Sequence, residues 1–368
     1  MQRRDVLKAG ISATSALMVG GAPAVHAGTH YEWKMVTAWP KNLLGLGEGA
    51  KHLARTIKSM SGGRISITIY WDGELVPAFE SFHAVSTGKA EMGHAAAYYW
   101  ADIHEAAQFF AAIPFGLNAQ ETAGWLYYGG GQELWNELYA QYNLQPFAAG
   151  STGVQMGGWF NTGIQSIDDY KGLTIRMPGL GGKVISHAGA QAINLPGGEI
   201  LAALESGAID ASEWVGPYND LAFELYKAAR YYYWPGWHEP STVIECFINK
   251  YVYESLPLDL RQIVTYAMQA AYNDMLSFYT AQNNLALIEL VTKHHVRLRK
   301  FKKATLARLG KLSKEVITDI AAKDPFSQKV YTSFDKFRKQ SVDWNSVGEE
   351  GYSVARSLTY SPLSRRWK

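Results

Sequence analysis

Apolar and polar positions along this chain follow two periods, and the two alternate. "EWKMVTAWP" (32–40) predicts a strand, "GLGEGAKHLARTIKSMS" (45–61) spaces its apolar residues as a helix does before Gly62-Gly63, and "RISITIYWDG" (64–73) returns to strand spacing. "AFESFHAVSTGKA" (78–90) predicts a helix and "EMGHAAAYYW" (91–100) a strand entering an aromatic loop, so a parallel sheet with helices on its faces is expected. The alternation restarts with "GVQMGGWFN" (153–161), "LTIRMPG" (173–179), a helix near 182–189, and helix then strand in "GGEILAALESGAIDASEWV" (197–215). A second α/β lobe follows from that restart. "YYYWPGWHEPSTVIECFINK" (231–250) reads as an extended return with Pro235 and Pro240 at turns. Residues 259–293 have helical composition with no internal Gly or Pro, which at ~1.5 Å per residue gives ~50 Å of helix, enough to brace two lobes. "HHVRLRKF" (294–301) predicts an edge strand, and two helical segments near 304–323 and 326–340 come last.

The N-terminus departs from this pattern. "MQRRDVLKAGISATSALMVGGAPAVHAGTH" has a basic start, an apolar stretch and a small-residue end at Val25-His26-Ala27, the layout of a cleaved export signal over residues 1–27. Arg3-Arg4 followed by Val6, Leu7 and Lys8 resembles the twin-arginine type, although Gln2 and Asp5 make the match approximate. A retained anchor is the competing reading, but the stretch holds Gly, Ser, Thr and Pro and falls short of the ~20 apolar residues a span needs. The expected location is a bacterial periplasm.

Charge and cysteine usage narrow the function classes. Without residues 1–27 the chain loses Arg3, Arg4, Lys8 and Asp5, so its 35 basic and 33 acidic residues become 32 of each. The mature chain then has no net charge to draw it to nucleic acid or to anionic lipid. Cys246 is the only cysteine, which excludes an intrachain disulfide and a cysteine-rich metal site. The 12 Trp and 22 Tyr gather in "AAAYYWADIH", "QMGGWFN", "SEWVGPYND" and "YYYWPGWHEP". Such residues suit a ligand cavity, having an apolar face and a polar tip, though core packing also uses them.

One residue stands out against its surroundings. In "KGLTIRMPGLGGK" (171–183), Arg176 sits in an apolar strand and is followed by Pro178, Gly179, Gly181 and Gly182. A guanidinium keeps its charge when buried and needs an anion, either a ligand or a carboxylate of the chain itself. The glycines fit a tight strand-to-helix turn that brings backbone close to a ligand.

In this order, the twin-arginine-like leader, "KGLTIRMPGLGG", "LAALESGAIDASEWVGPYND" and "YYYWPGWHEPSTVIE" resemble the extracytoplasmic solute receptors of tripartite ATP-independent periplasmic (TRAP) transporters. Within these the chain is most similar to the branch that binds 2-oxo and 2-hydroxy monocarboxylates with a metal ion. The resemblance implies two α/β lobes with a ligand cleft between them, a long lobe-spanning helix and a helical C-terminus. Expected boundaries are 28–150 with about 241–300 for lobe I, 151–240 for lobe II, and about 301–368 for helices that brace the molecule or pair it with a second copy. It makes Arg176 the clamp for the ligand carboxylate and Glu213, the Trp214 carbonyl and Gln155 the ligands of a sodium or calcium ion, with Glu239 a further candidate. Hard oxygen donors of this kind suit such cations, and no Cys/His cluster favours zinc. Tyr98, Tyr99, Trp159, Asn161, Trp214 and Leu180 are candidate walls, with His238 read as structural. Closure is expected at hinges near 149–153 and 236–241, presenting the loaded receptor to the membrane permease. The ligand is a pyruvate-like 2-oxo acid or lactate-like hydroxy acid.

Two other classes compete. A periplasmic hydrolase would use carboxylates such as Asp168, Asp169, Asp210 and Glu213, but no spacing marks an acid and base pair, and no G-x-S-x-G elbow is present. A structural or interaction protein built on the C-terminal helices is compatible with the receptor reading.

Overall fold

The computed structural model describes residues 29–360; the expected export signal at 1–27 lies outside the described residues. The chain builds one lobe, crosses to a second, returns, and crosses again. The first passage comprises β1 (Tyr31–Thr37), α1 (Leu46–Met60), β2 (Ile65–Tyr70), α2 (Ser81–Ser86), β3 (Met92–Ala95), α3 (Ala119–Tyr128), α4 (Gly131–Ala140) and β4 (Leu144–Ser151). Its first helix illustrates the pattern logic: Leu46, Ala50, Leu53, Ala54 and Ile57 recur at helical spacing, and all are buried. The second passage comprises β5 (Gly158–Phe160), β6 (Thr174–Arg176), α5 (Gly179–His187), β7 (Gln191–Ile193), α6 (Ile200–Ser206), β8 (Ala211–Ser212), α7 (Pro217–Ala222) and β9 (Tyr231–Trp234). β10 (Val243–Asn249), α8 (Lys250–Ser255), α9 (Leu258–Thr292), β11 (Arg297–Lys300), α10 (Lys303–Ala321), α11 (Pro325–Val347) and α12 (Glu349–Thr359) complete the chain.

The first sheet has the order β2-β1-β3-β10-β4 and the second β11-β9-β5-β8-β6-β7. Neither is purely parallel, against expectation. β1, β2 and β3 run parallel, but β10 is antiparallel to both β3 and β4. The cause is the crossing: β4 carries the chain out of the first lobe and β10 brings it back beside β4, so the two must oppose. In the second lobe β5, the strand that enters, is antiparallel to β8 and β9. The strand expected over 91–100 stops at Ala95 and turns into a short 3₁₀ segment, Ala97–Trp100, which delivers Tyr98 and Tyr99 to the interlobe face.

The two crossing segments form a ribbon. Thr152 N–H donates to the Thr242 carbonyl (3.1 Å), Gln155 N–H to the Glu239 carbonyl (3.2 Å), and Gly236 N–H to the Gln155 carbonyl (3.1 Å). Ser151 and Ser241 hydroxyls share a further bond of 2.9 Å. A Cβ at Gly236 would lie 2.2 Å from the Gln155 carbonyl oxygen, so the approach requires glycine there.

α9 is the brace. Its 35 residues span about 52 Å. Leu260, Val264, Ala267, Met268 and Ala271 pack into the first lobe's outer core with Trp33, Leu53 and Ile57, whereas Tyr272, Met275 and Tyr279 join the larger core that runs through both lobes. Further along, the Asn283 side chain accepts from Tyr218 N–H of α7 (3.0 Å). The helix thereby carries the chain across, and β11 pairs with β9 in the second sheet, not in the first lobe where the expected boundary at 300 had put it. α11 returns to the first lobe, where Trp125 Nε1 donates to Ser333 Oγ (3.2 Å) and Lys329 pairs with Glu137 (2.6 Å). No described helix is long and apolar enough to cross a membrane.

Candidate functional site

Arg176 ends β6, and its extended backbone turns at Pro178 into α5. Arg176 and Glu213 are each 1% exposed, Glu239 is 3% and Gln155 4%, so a cluster of charged and amide groups is sealed between the lobes. Glu213 follows β8, the strand paired with β6, which sets the two side chains next to each other. Arg176 Nη1 donates to Glu213 Oε1 and to the Glu213 carbonyl (3.2 Å), and Nε donates to the Leu195 carbonyl (3.2 Å). Nη2 has no partner, which leaves one prong of the fork unused. The Trp214 ring lies beneath the guanidinium at 5.1 Å and stacks on Phe223.

The crossing ribbon supplies the other half. Glu239 Oε2 accepts from Thr242 Oγ1, and Gln155 Nε2 donates to the same hydroxyl (2.9 Å). Fixing the amide nitrogen this way leaves Gln155 Oε1 buried and without a partner. His238 Nε2 sits 3.4 Å from Glu213 Oε2, and Glu213, His238 and Glu239 each bring a ligand atom within 4.8 Å of the others. His238 thus belongs to the cluster, although the sequence reading treated it as structural. Gly181 of α5 permits its approach, because a Cβ there would lie 2.9 Å from His238 Cβ.

Desolvation dominates the electrostatics. Burial pushes the Glu213 carboxyl up to about 7 while the Arg176 guanidinium pulls against it; burial, and then the Glu213 charge, push Glu239 up to about 7. His238 is lowered to about 4 by burial, so its imidazole is neutral. Burial raises Tyr99 to about 12 and Tyr98 well above its ordinary value, with Glu213 and Glu239 adding to the effect and Arg176 opposing it. Both hydroxyls are therefore donors facing the cluster from the first lobe. Tyr98 packs against the Gly179 turn, and Leu180 is buried one residue beyond it.

Two candidate walls lie elsewhere. Trp159 is fully buried, donates through Nε1 to Asp220 (2.9 Å) and stacks on Tyr232 at 4.0 Å, so its polar tip is committed to the second lobe's core. Asn161 is exposed one residue past β5 and borders a surface cavity with Arg230 and His294. The short β5 turns it away from the cleft.

The donors fit a hard cation. Two carboxylates, one unpartnered amide oxygen and the main-chain carbonyls beside them are oxygen ligands of the kind calcium and sodium take, and the neutral imidazole does not outweigh them.

Two α/β lobes joined by a hydrogen-bonded ribbon, closing over an arginine with a spare prong, define a solute-binding receptor. Residues 37–324 match the model of the bacterial extracellular solute-binding proteins, family 7 (DctP), and the chain belongs to that family. A relative from Nostoc sp. (strain PCC 7120), described as a monocarboxylate 2-oxoacid-binding periplasmic protein, is 41% identical over 358 residues, covering 96% of this chain and 98% of its own. A TRAP periplasmic solute-binding protein from Pseudoalteromonas atlantica T6c, solved with sodium and pyruvate, has a TM-score of 0.86 at 38% identity, over 88% of this chain and 98% of its own. Its counterpart from Colwellia psychrerythraea, with calcium and pyruvate, gives 0.86 at 39% over 89% and 100%. One from Bordetella bronchiseptica RB50, a dimer with copurified calcium and picolinate, gives 0.87 at 34% over 90% and 99%. None of these relatives is described as a hydrolase, and the periplasmic location matches the one expected for this chain.

Proposed function

We propose that this receptor captures a small 2-oxo or 2-hydroxy monocarboxylate together with a sodium or calcium ion and hands it to the membrane permease of a TRAP transporter, without chemical conversion. The observation that carries the reading is the unpartnered Arg176 Nη2 inside a sealed cluster that also holds an unpartnered amide oxygen at Gln155. Buried donors and acceptors are costly when left unpaired; a ligand carboxylate satisfies the Arg176 donor, and a cation satisfies the Gln155 oxygen. Similarity to the two pyruvate-bound receptors supports the same ligand class.

Gln155, Glu213 and Glu239 side chains and the Trp214 carbonyl would hold the cation, whose charge offsets the carboxylates that otherwise repel across a low-dielectric cleft. Arg176 donates through Nη2 to the ligand carboxylate while Nη1 stays on Glu213, so the planar guanidinium fixes the angle between the two anions. Tyr98 and Tyr99 hydroxyls, kept protonated by burial, donate from the opposite lobe, so binding draws the lobes together. Trp214 and Leu180 supply apolar wall. Residues 28–150 with 241 to about 296 form lobe I and 151–240 lobe II in this reading, with the ribbon as hinge.

A second copy is the other proposed partner. Trp344 and Val347 of α11, Val354 and Leu358 of α12 and Tyr360 just past it are 62–85% exposed, an apolar surface suited to pairing. The dimer described for the Bordetella bronchiseptica receptor supports that assembly.

Calorimetric titration of pyruvate into the protein with calcium, with sodium and after chelation tests the function. Saturable binding that needs a cation is expected. A response to sugars alone, accompanied by turnover, would sink the receptor reading.

A further inference from the structure

Beyond the cleft, one face of the second lobe carries an unbalanced charge. β11 is the edge strand of its sheet, and Arg297, Arg299 and Lys300 on it are exposed, as are Lys302 and Lys303 immediately after. Arg230 joins them across a surface cavity of about 540 Å³ that it lines with Arg297, Lys227, His294 and His295. Among the described residues, none of Arg230, Arg297, Arg299, Lys300, Lys302 and Lys303 forms an ion pair. Of the acids around it, Glu224 pairs with Lys227 (2.6 Å), Glu289 with Lys293 (3.1 Å) and Asp168 with Lys171 (2.6 Å), while Asp169 accepts from Gln165 and Ser166 N–H and faces Lys302 without an ion pair. In a mature chain with equal numbers of acids and bases, this makes a local cationic field.

Charges on an edge strand have a bland use, since they discourage pairing with another sheet. That use does not account for the extent of this patch. Lys302 is the N-cap of α10 and Lys303 its first residue, where positive charge opposes the helix dipole and acids are preferred. Aromatic rings are interleaved with the cations as well. Arg297 and Arg299 lie 6.0 and 5.6 Å from the ring of half-buried Tyr231, and Lys300 lies 4.6 Å from that of half-buried Trp234. Basic side chains alternating with Trp and Tyr suit a bilayer interface, where the rings sit at headgroup depth and the cations meet phosphates.

We propose that the face formed by β11, Arg230 and the start of α10 docks reversibly on the anionic headgroups of a phospholipid bilayer. A periplasmic receptor so held searches for its permease along a surface instead of through a volume, a benefit that rests on the function proposed above; the contact itself does not.

Co-sedimentation of the mature full chain with vesicles of phosphatidylcholine alone, and with vesicles that also contain phosphatidylglycerol, tests the contact. Binding is expected only with phosphatidylglycerol and should weaken with salt, because the screening length falls from about 10 Å at 0.1 M to about 3 Å at 1 M. The double variants Arg297→Glu with Arg299→Glu, and Lys302→Glu with Lys303→Glu, should each lower vesicle binding by at least about 25-fold, at about fivefold per cation lost and more from the added negative charges. The second pair places acids where the helix dipole favours them, so it guards against a folding defect. Pyruvate titration and apo melting on the same variants separate failure of this face from failure of the solute site. Equal binding to both vesicle types, or variants that bind like the wild type, would overturn the proposal. So would variants that keep vesicle binding but lose uptake with purified permease in neutral lipid, which assigns the face to an acidic protein surface.

Discussion

Arg176 answers to two anions, one in the chain and one in the proposed ligand, and Arg176→Lys separates them. Lysine keeps the charge but has no fork, so pyruvate affinity should fall roughly 10–150-fold, the loss of one charge-assisted hydrogen bond worth roughly 1.5–3 kcal/mol. Because Nη1 also serves Glu213, the apo melting temperature should drop too. Paired calorimetry and melting check this: a lowered melt with unchanged affinity leaves Arg176 as a structural partner only. Glu245 offers a test away from the cleft. Its carboxyl accepts from Trp100 Nε1 (2.5 Å) and the Tyr139 hydroxyl (2.7 Å), and burial pushes it from 4.5 up to about 8. Between those values the fold holds a proton that the unfolded chain has lost, so stability falls as pH rises across the window and levels off above it. Glu245→Gln removes that linkage, and the variant should melt above wild type at about pH 8, with the gain shrinking toward about pH 5. Parallel melting curves at all pH values would show that Glu245 carries no such proton. At this scale Arg176, Glu213, Gln155 and Glu239 are conspicuous in the sequence as charged or amide groups in apolar runs, and the fold buries them together. His238 is not conspicuous, since a buried imidazole beside Trp237 has the same pattern whether it packs or binds. Trp159 and Asn161 were misplaced for one reason: β5 is three residues long, and a short strand leaves the facing of its ends undetermined by alternation.

Among the elements, the hydrogen-bonded ribbon of 151–157 and 235–242 is where the proposed hinge and the proposed site coincide. Gly236→Ala tests that union, because the added Cβ meets backbone that cannot rotate away. The strands should splay, with a loss of roughly 1–3 kcal/mol in stability. Pyruvate affinity should fall with it, as Gln155 and Glu239 lose register; a lower melt with full affinity would show the two roles to be separable. The alternation of strand and helix announced both lobes, and the run without Gly or Pro announced α9. Strand direction was beyond reach, because a strand's own residues do not record that the chain will return beside it from another lobe. The pairing of β11 with β9 was equally hidden: it depends on where a helix of about 52 Å happens to end.

For the whole molecule, the C-terminal helices are the part whose purpose a truncation can decide. A chain ending at residue 347 keeps Phe334 and the contacts of α11 with α3 and α4 but loses α12 and three of the five exposed apolar side chains, Val354, Leu358 and Tyr360. Light scattering should report a dimer for the full chain and a monomer for the shortened one, with pyruvate affinity retained; a dimer in both would move the interface elsewhere. The lobes also meet outside the ribbon, where Glu105 of the first lobe accepts from Lys183 of α5 (3.3 Å) and from Lys323 just past α10 (2.5 Å). In the proposed binding mode the solute meets the ribbon that joins the lobes, and the molecule works as a caliper whose jaws also meet at Glu105. A solute too large by a single methylene loses little contact energy where it sits, yet it wedges the pivot, and the opening grows with distance until Lys183 no longer reaches Glu105. On the proposed binding mode selectivity is gauged at that junction: misfitting acids should bind without being passed on, and uptake should discriminate between them more sharply than equilibrium binding does.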